Sequence, residues 1–396
     1  MRVQLRPRDQ RGAIAVLSAF LVVILVGFAA FAVDMGAAYT SKRQLQTSVD
    51  SAALAAAAFY ADKAGTCTTL SDAANAASQA LRAQAQVVAD AAITRNRAGA
   101  STSPITVACN ASSQLAVTTS AAGTTPRFLG RVFGAKGDLQ ESGTAEATVV
   151  PNTRGQHVRP WALCSLDLPT PLPAGVVKVL QPGSAHTGSE CPASESGGNW
   201  WFVNCPEDST GSVPVMAENL TNGCDDPIDV VPNQPASPTP ATLSTALTLN
   251  CNDKGDVSSS CLSGDTGNSS LKNKTVYEVW DTLLGRTVLM PVFCGSPTCN
   301  PDTVNGTGTN SVYPIYKIAS VTVCGFHVYD KTSGMSSTGD CAANTFTTAD
   351  AAAGGKDDVV LYLRFTKTFG AGDTTTTTCG LDTACDGGSR KVLLTK

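Results

Sequence analysis

The sequence has few of the residues on which most enzymes and nucleic-acid-binding proteins depend. Only 15% of its 396 residues are charged, and three are histidines. It contains no CxxC pair, no HExxH motif, no Gly-x-Ser-x-Gly nucleophile elbow and no phosphate-binding glycine loop. The net charge is −4, and the large body of the chain has no basic patch that could neutralise phosphates. These absences argue against a nucleic-acid partner, and the sequence predicts no catalytic residue and no cofactor.

Cysteine is absent before Cys67, whereas 14 cysteines follow. An even number of cysteines, all on one side of an apolar segment, predicts disulfides formed in an oxidising compartment. A thiolate metal cluster is the alternative, although the histidines do not form a zinc-type spacing with the cysteines. Sequence alone does not determine the overall connectivity. The candidate disulfide cysteines are Cys67, Cys109, Cys191, Cys205, Cys251, Cys261, Cys294, Cys299, Cys379 and Cys385.

An uncharged apolar run, Ala13–Val33, dominates the N-terminal region. About 20 such residues in a helix span a hydrocarbon core of roughly 30 Å. Four arginines and a single acid, Asp9, precede the run. The positive-inside bias therefore predicts residues 1–12 as a cytoplasmic tail, 13–33 as a transmembrane helix, and the rest of the chain outside the cytoplasm. A cleaved signal peptide is the alternative, because Ala30-Phe31-Ala32 fits a small-x-small cleavage pattern.

The helical pattern continues beyond the apolar run, which favours retention of the anchor over cleavage. Residues 34–62 are predicted to form a stalk helix, with Leu45, Val49, Ala52 and Ala56 on one face as contacts for other helices. Two pairs of small residues, Ala15 with Ala19 and Ala32 with Gly36, have the i, i+4 spacing that lets helix backbones approach closely in lipid.

An ordered string of residues in the first sixty positions resembles a known family. Arg11-Gly12 opens the apolar run, Val33-Asp34-Met35-Gly36 closes it, and Leu45-Gln46 and Asp50-Ser51-Ala52-Ala53-Leu54 follow. This region is similar to the N-terminal region of TadE/TadG-like proteins of the tight-adherence (Flp) pilus and secretion machinery. The matching motif residues are Gly12, Asp34, Gly36, Gln46 and Asp50.

The resemblance implies an assembly or adhesion component of the bacterial inner membrane, with an extracytoplasmic body. The implied partners are the membrane, pilus or pseudopilin subunits that pack against the helix, and cell-wall or surface ligands. Processed pilin-like members carry a glutamate five residues after their cleavage glycine, whereas here Leu17 follows Gly12 at that distance. The chain therefore resembles the TadG branch, which keeps its anchor.

The rest of the chain predicts an α+β fold. Residues 63–150 are expected to form a small pilin-like module: a helix from about Ser71 to Arg95, strands near 105–120 and 138–150, and a short amphipathic segment at Pro126–Phe133. Cys67 and Cys109 are the two cysteines of this module, so they are expected to bond. Residues 151–396 read as an all-β region stapled by disulfides, with a linker or long loop at 232–242.

Asp256, Ser258 and Ser260 form the one weak metal motif, a D-x-S-x-S string that would coordinate Mg²⁺ through oxygen. A serine-rich loop is the alternative interpretation, because no helix is predicted after the string. For the whole chain, a membrane-tethered envelope hydrolase or carbohydrate-binding protein is the second hypothesis. A concave pocket with converging His, Asp or Glu side chains would favour that hypothesis.

Overall fold

The computed structural model describes most of the chain from Arg11 onward. The described residues are 11–63, 65–131, 134, 136–165, 168, 175–181, 202–208, 211–235, 239–249, 251–265, 273–328, 332–342, 359–366, 368–369, 380–381, 386 and 389–395. The arginine-rich start of the chain, Cys191, Cys379 and Cys385 lie outside these residues.

Six α-helices lie within the described residues, and the first is much the longest. They are α1 (Arg11–Ala61), α2 (Cys67–Ser71), α3 (Ala76–Asn96), α4 (Val213–Asn222), α5 (Pro240–Thr248) and α6 (Lys274–Leu283). The 51 residues of α1 make a rod of roughly 77 Å at 1.5 Å per residue. Asn75 caps α3 by accepting hydrogen bonds from the backbone N–H groups of Ala77 and Ser78.

The strands form two larger sheets and two small ribbons. They are β1 (Ser101–Thr102), β2 (Thr106–Cys109), β3 (Leu115–Thr125), β4 (Leu139–Pro151), β5 (Arg154–Gly155), β6 (Leu163–Cys164), β7 (Val176–Gln181), β8 (Ile228–Asp229), β9 (Cys261–Ser263), β10 (Thr287–Phe293), β11 (Val312–Pro314), β12 (Lys317–Val328), β13 (Thr332–Met335), β14 (Val359–Thr366), β15 (Thr368–Phe369) and β16 (Ser389–Leu394). The first sheet has the order β1-β3-β4-β16-β15, with β2 also on β3. The second has the order β6-β10-β12-β14-β7, with β13 also on β12.

The second half of α1 packs on α3 and on one face of the first sheet. Alternate residues of β3, from Leu115 to Thr125, are buried, as expected for a strand with one face on a core. The buried side chains of this N-terminal core come mainly from α1, α3, β3 and β4. The Thr119 hydroxyl donates to the Val49 carbonyl at 3.1 Å, which ties the strand to the helix.

The last strand of the chain belongs to the first sheet. β16 pairs antiparallel with β4, so that Lys391 lies opposite Val150 and Leu394 opposite Ala147. The sequence-based boundary near 150 does not anticipate this strand, because the pairing joins segments more than two hundred residues apart and leaves no local pattern.

A second core surrounds the other larger sheet. Trp161 is fully buried and meets Trp280 of α6 edge-on at 5.0 Å between ring centroids. α6 presents Val276, Val279, Trp280 and Leu283 to this core, and α4 packs beside it. Most of the buried side chains that the second sheet contributes to this core come from β10, β12 and β14.

The α+β class predicted from the sequence is confirmed: a long apolar helix is followed by sheets and several disulfides. The region expected to be all-β nevertheless contains α4, α5 and α6. These helices were missed because each is only nine or ten residues long. α5 begins inside the proline-rich segment, where Thr239 is the N-cap and Pro240 occupies the first turn.

Every cysteine among the described residues is disulfide-bonded. Cys67 is joined to Cys109, the pair expected from the sequence. The other described pairs are Cys205–Cys224, Cys251–Cys261, Cys294–Cys299 and Cys324–Cys341, and Cys164 is also bonded. The sulfur atoms of these cysteines are therefore not available as thiolate metal ligands.

Candidate anchoring and assembly surface of the long helix

The long helix α1 has two halves with opposite surroundings. From Val16 to Met35 its large apolar side chains are exposed, with Phe20 at 68% and Phe28 at 69%. From Leu45 to Ala61 the inward-facing side chains are fully buried in the chain's own core. The most apolar stretch has a mean hydropathy of 2.8, and 6% of it is buried. By length and composition this stretch could cross a membrane.

Asp34, at the junction of the two halves, holds a loop of the first sheet. One carboxylate oxygen accepts hydrogen bonds from the N–H groups of Phe128 (3.0 Å) and Leu129 (3.1 Å), and the other accepts from Gly130 (2.6 Å). Asp34 is only 8% exposed. The hydrogen bond from Leu129 is the largest influence on the Asp34 carboxyl and lowers its pKa, and the bonds from Gly130 and Phe128 act in the same direction. The motif aspartate thus fixes the β3–β4 loop beside the end of the apolar half.

Gln46 and Asp50, the last two motif residues, lie where the helix meets β4. The Gln46 amide donates to the Asp50 carboxylate at 2.7 Å and to the Thr144 carbonyl at 3.1 Å. Gly143, the neighbour of Thr144, faces the helix. A Cβ atom at this position would lie 3.3 Å from the Gln46 side-chain oxygen Oε1 and 3.4 Å from the Val49 methyl carbon Cγ2. Glycine at 143 therefore allows the close approach of strand and helix that brings Gln46 to the sheet.

A buried ion pair joins the end of α3 to the same side of the first sheet. The Arg97 guanidinium lies 3.1 Å from the Glu141 carboxylate and donates to the Ser41 carbonyl at 2.6 Å. The Thr125 hydroxyl lies 2.6 Å from both Glu141 and the Ser41 hydroxyl. Burial raises the pKa of the Glu141 carboxyl, but hydrogen bonds from Thr125, Ser41 and Arg97 outweigh it and bring the pKa below its ordinary value.

The helix-packing residues predicted from the sequence divide into two groups in the structure. Leu45, Val49, Ala52 and Ala56 are fully buried against α3 and the sheet. The structure therefore assigns these four residues to the chain's own core rather than to contacts with another subunit. Their periodicity was informative about burial but could not identify the element that covers them. Ala15, Ala19, Ala32 and Gly36 are exposed, and Gly12 lies in the first turn of α1.

The weak metal motif has its carboxylate engaged by backbone groups. Asp256 accepts hydrogen bonds from the N–H groups of Asn252 (2.8 Å) and Asp253 (3.2 Å) within a short 3₁₀ turn. Ser258 and Ser260 follow in a tight turn closed by the Cys251–Cys261 disulfide, and their hydroxyls are 3.5 Å apart. No helix follows directly, so the strand-to-helix setting of such a motif is missing from these residues. The arrangement matches the serine-rich loop interpretation.

Among the described residues, one further cluster and two grooves also lack the pattern of a catalytic site. Cys205, Glu207 and Cys224 lie together, but the two sulfurs form a disulfide. Glu207 accepts backbone hydrogen bonds from Asp225 and Asp226. A groove beside Asp34 has mostly apolar walls from α1. Another groove, beside α5, is lined mainly by apolar residues with two threonines and one asparagine, and without a carboxylate or histidine. Neither groove has the converging groups that the hydrolase hypothesis requires.

The contact between Asp34 and the β3–β4 loop was not predicted from the sequence. Its only local signal was the amphipathic segment at Pro126–Phe133, whose described part contains turns rather than a helix. The Arg97–Glu141 pair also has no sequence signal, since 44 positions separate its members.

The comparison with known protein families finds a match in the part of the chain that forms α1. Residues 12–58 match the family model described as "Putative Flp pilus-assembly TadE/G-like". No curated protein matches the chain, and no solved structure matches it. The matched family supports a pilus-associated role and is generally non-enzymatic. The matched residues run from Gly12 to Ala58, cover the apolar half of α1 and most of its buried half, and include every motif residue described above. The N-terminal helix of this chain is therefore similar to the TadE/G-like family over residues 12–58, and the match does not extend to the rest of the chain.

Proposed function

We propose that this chain is a single-pass inner-membrane protein with residues 1–12 in the cytoplasm, 13–33 in the bilayer and the body outside. The observation that supports this most strongly is the division of α1 into an exposed apolar half and a half buried in its own core. A contiguous apolar surface of this size is typical of a membrane contact. The arginines that precede the span support the orientation.

The proposed activity is structural: assembly or adhesion within a Tad/Flp-type pilus or secretion apparatus. The family match supports the pilus association, and Leu17, at the position of the glutamate of processed members, favours the TadG branch. The disulfide-stapled sheets would face the exterior and bind cell-wall or surface ligands. The envelope-hydrolase hypothesis gains no support from the grooves that the described residues form.

The exposed small residues of α1 are the proposed contacts with neighbouring pilus or pseudopilin subunits. Ala32 and Gly36 lie one turn apart, and a Cβ built on Gly36 meets open space. Small side chains let helix backbones approach closely where lipid gives no hydrophobic driving force between helices. Ala15 and Ala19 offer the same spacing near the cytoplasmic end of the span.

Intact-mass measurement of the membrane-extracted protein tests the anchor. We expect the protein to resist alkaline extraction and to begin at Met1 or Arg2. Protease added to spheroplasts should digest the body while leaving a protected N-terminal fragment. A mature chain beginning at Val33 would show a cleaved signal peptide and would overturn both the anchor and the assembly role.

Crosslinking in membranes tests the helix contacts. The double variant Ala32→Leu/Gly36→Leu keeps the helix apolar but blocks close approach, so we expect it to lose partner crosslinks while retaining its fold. Val33→Leu is the matched control, because Val33 is 52% exposed and lies off the small-residue stripe. Unchanged crosslinks in the double variant would exclude this stripe as the contact.

A further inference from the structure

The loop between β3 and β4 lies at the level where the apolar half of α1 ends. Its residues Phe128, Leu129 and Gly130 are bonded through their N–H groups to Asp34. Asp34 follows directly after the apolar run that ends at Val33, so it lies about 1.5 Å further along the helix axis. The three hydrogen bonds therefore fix the height of the loop relative to the proposed span.

The loop adds its own apolar side chains to the exposed surface of the helix. Phe128 is 61% exposed and Leu129 is 39% exposed. On the neighbouring turns of α1, Phe31 is 64% exposed and Met35 is 53% exposed. Large apolar side chains from two separate segments thus share one end of the molecule's apolar surface, which is the pattern of an interaction site.

Basic groups accompany these apolar side chains. Arg131 and Lys136 are exposed on the loop, and Arg127 lines the groove beside Ala30, Phe31 and Met35. The Arg127 Nε is buried without a hydrogen-bond partner among the described residues. Asp34 accepts three backbone bonds, and Asp138 is paired with Arg131 at 2.7 Å, whereas Arg127 and Lys136 form no ion pair among the described residues. The loop therefore offers positive charge next to exposed apolar surface.

We propose that residues 126–131 form a second membrane contact, in which Phe128 and Leu129 enter the outer interface of the bilayer and Arg127 meets phospholipid phosphates. Apolar side chains flanked by basic ones are typical of segments that lie in the interfacial layer. The occupant is lipid rather than protein because the loop is continuous with the apolar span and has the charge to match anionic headgroups. This inference rests on the proposed anchoring of α1. It adds a rigid stop that sets the depth and tilt of the helix.

Depth-dependent quenching in the full-length protein tests the proposal. The protein is reconstituted in phosphatidylcholine–phosphatidylglycerol vesicles, with lipids brominated either near the carbonyl end or near the tail of the acyl chain. Three variants each add one tryptophan: Phe128→Trp in the loop, Phe28→Trp in the span, and Leu249→Trp, which replaces a residue 69% exposed at the C-cap of helix α5. The native protein provides the baseline emission. Circular dichroism checks that each variant keeps its fold.

We expect tryptophan at position 128 to be quenched, and more strongly by lipids brominated near the carbonyl end than by those brominated near the tail. Position 28 should be quenched most by the deeper labels, and position 249 should not be quenched. Quenching at 28 without quenching at 128 would overturn the second contact and leave the anchor intact. A blue-shifted but unquenched emission at 128 would have the same consequence, because it would show that protein rather than lipid covers the loop. Quenching at neither position would overturn the anchor itself. Equal quenching at 128 and 249 would show that the body lies on the vesicle nonspecifically, which also contradicts the proposal.

Discussion

Lys317 begins the central strand β12 of the second sheet, with its ammonium group 4.4 Å from the centroid of the Tyr316 ring. Burial lowers the pKa of this lysine to about 8, although the Asp386 carboxylate acts in the opposite direction. The ordinary value is 10.5, so between about pH 8 and 10.5 the unfolded chain binds more protons than the folded one. Folding stability linked to Lys317 must therefore rise with pH through this window.

Lys317→Met removes this linkage and keeps an unbranched side chain of similar length. We expect the variant to be more stable than the native protein at pH 7, because no charge is then buried. The advantage should shrink as the pH rises from 8 towards 10. Urea midpoints of both proteins at several pH values measure the difference in their stability. The contributions of the other titrating groups cancel in this difference, because both proteins share them. A difference that does not change with pH would contradict the assigned pKa.

Ala52 shows how the structure changes the meaning of a small residue in α1. It is fully buried between α1 and the elements packed on it, whereas Leu54, two positions further along, is 37% exposed. Arginine at position 52 would place a long charged side chain in a packed core, which costs several kcal/mol. We therefore expect Ala52→Arg to unfold the N-terminal module, rather than to block assembly alone.

Leu54→Arg is the control for that substitution, because the same side chain enters the same helix at an exposed position. It should change the free energy of unfolding by less than about 1 kcal/mol, since exposed helix positions tolerate arginine. Hydrogen exchange of α3 and β3 amides reports on the module directly. Full protection of these amides in Ala52→Arg would show that position 52 does not lie in the core.

At the scale of elements, the junction between the C-terminal end of α1 and β16 depends on one buried side chain. The Arg390 guanidinium is fully buried and donates to the carbonyls of Lys63 (3.1 Å) and Gly65 (3.0 Å) just beyond the helix. It also lies 2.7 Å from the Asp386 carboxylate. One cation thus satisfies the backbone groups that follow α1 and fixes the final strand to the helix end.

Arg390→Met should destabilise the protein by about 3–5 kcal/mol, the range for removing one partner of a buried pair. Arg154→Met is the matched comparison, because the Arg154–Asp229 pair is longer, at 3.5 Å, and the Arg154 side chain is 36% exposed. We expect that change to cost less than about 1 kcal/mol. Denaturant midpoints of the two variants and the native protein measure the stability that each substitution removes. Equal losses of stability would show that Arg390 acts as an ordinary surface cation.

Elements with strong local patterns could be predicted from the sequence. The uninterrupted helical pattern predicted α1, and the strands expected near 105–120 and 138–150 correspond to β2, β3 and β4. α4 and α6 have only ten residues each, so a few capping and apolar positions had to carry the whole signal. The Asp34 motif was recognisable, but its hydrogen-bond partners lie 94 to 96 positions away. Such nonlocal pairs leave no trace in spacing or composition.

At the scale of the whole molecule, the chain folds the two sheets into a connected body. It passes from β14 of the second sheet to β15 and β16 of the first, and β16 contacts both α1 and β12. The N-terminal module is therefore completed by the last residues of the chain. Under the proposed anchoring, a pull on α1 would be transmitted to the second sheet through β4 and β16.

Removal of residues 389–396 tests whether the final strand completes the module. Without β16, β4 keeps β3 on one side but loses its antiparallel partner on the other, and the backbone after α1 loses the Arg390 guanidinium. We expect amides of β3, β4 and the second half of α1 to lose hydrogen-exchange protection, while those of β10 and β12 keep it, because unpaired strand edges and unsatisfied buried groups destabilise locally. Deletion of Lys396 alone is the control, since it leaves β16 whole. If the shortened chain kept full protection in β3 and β4, the N-terminal module would fold without β16, and the strand would serve only as a surface addition.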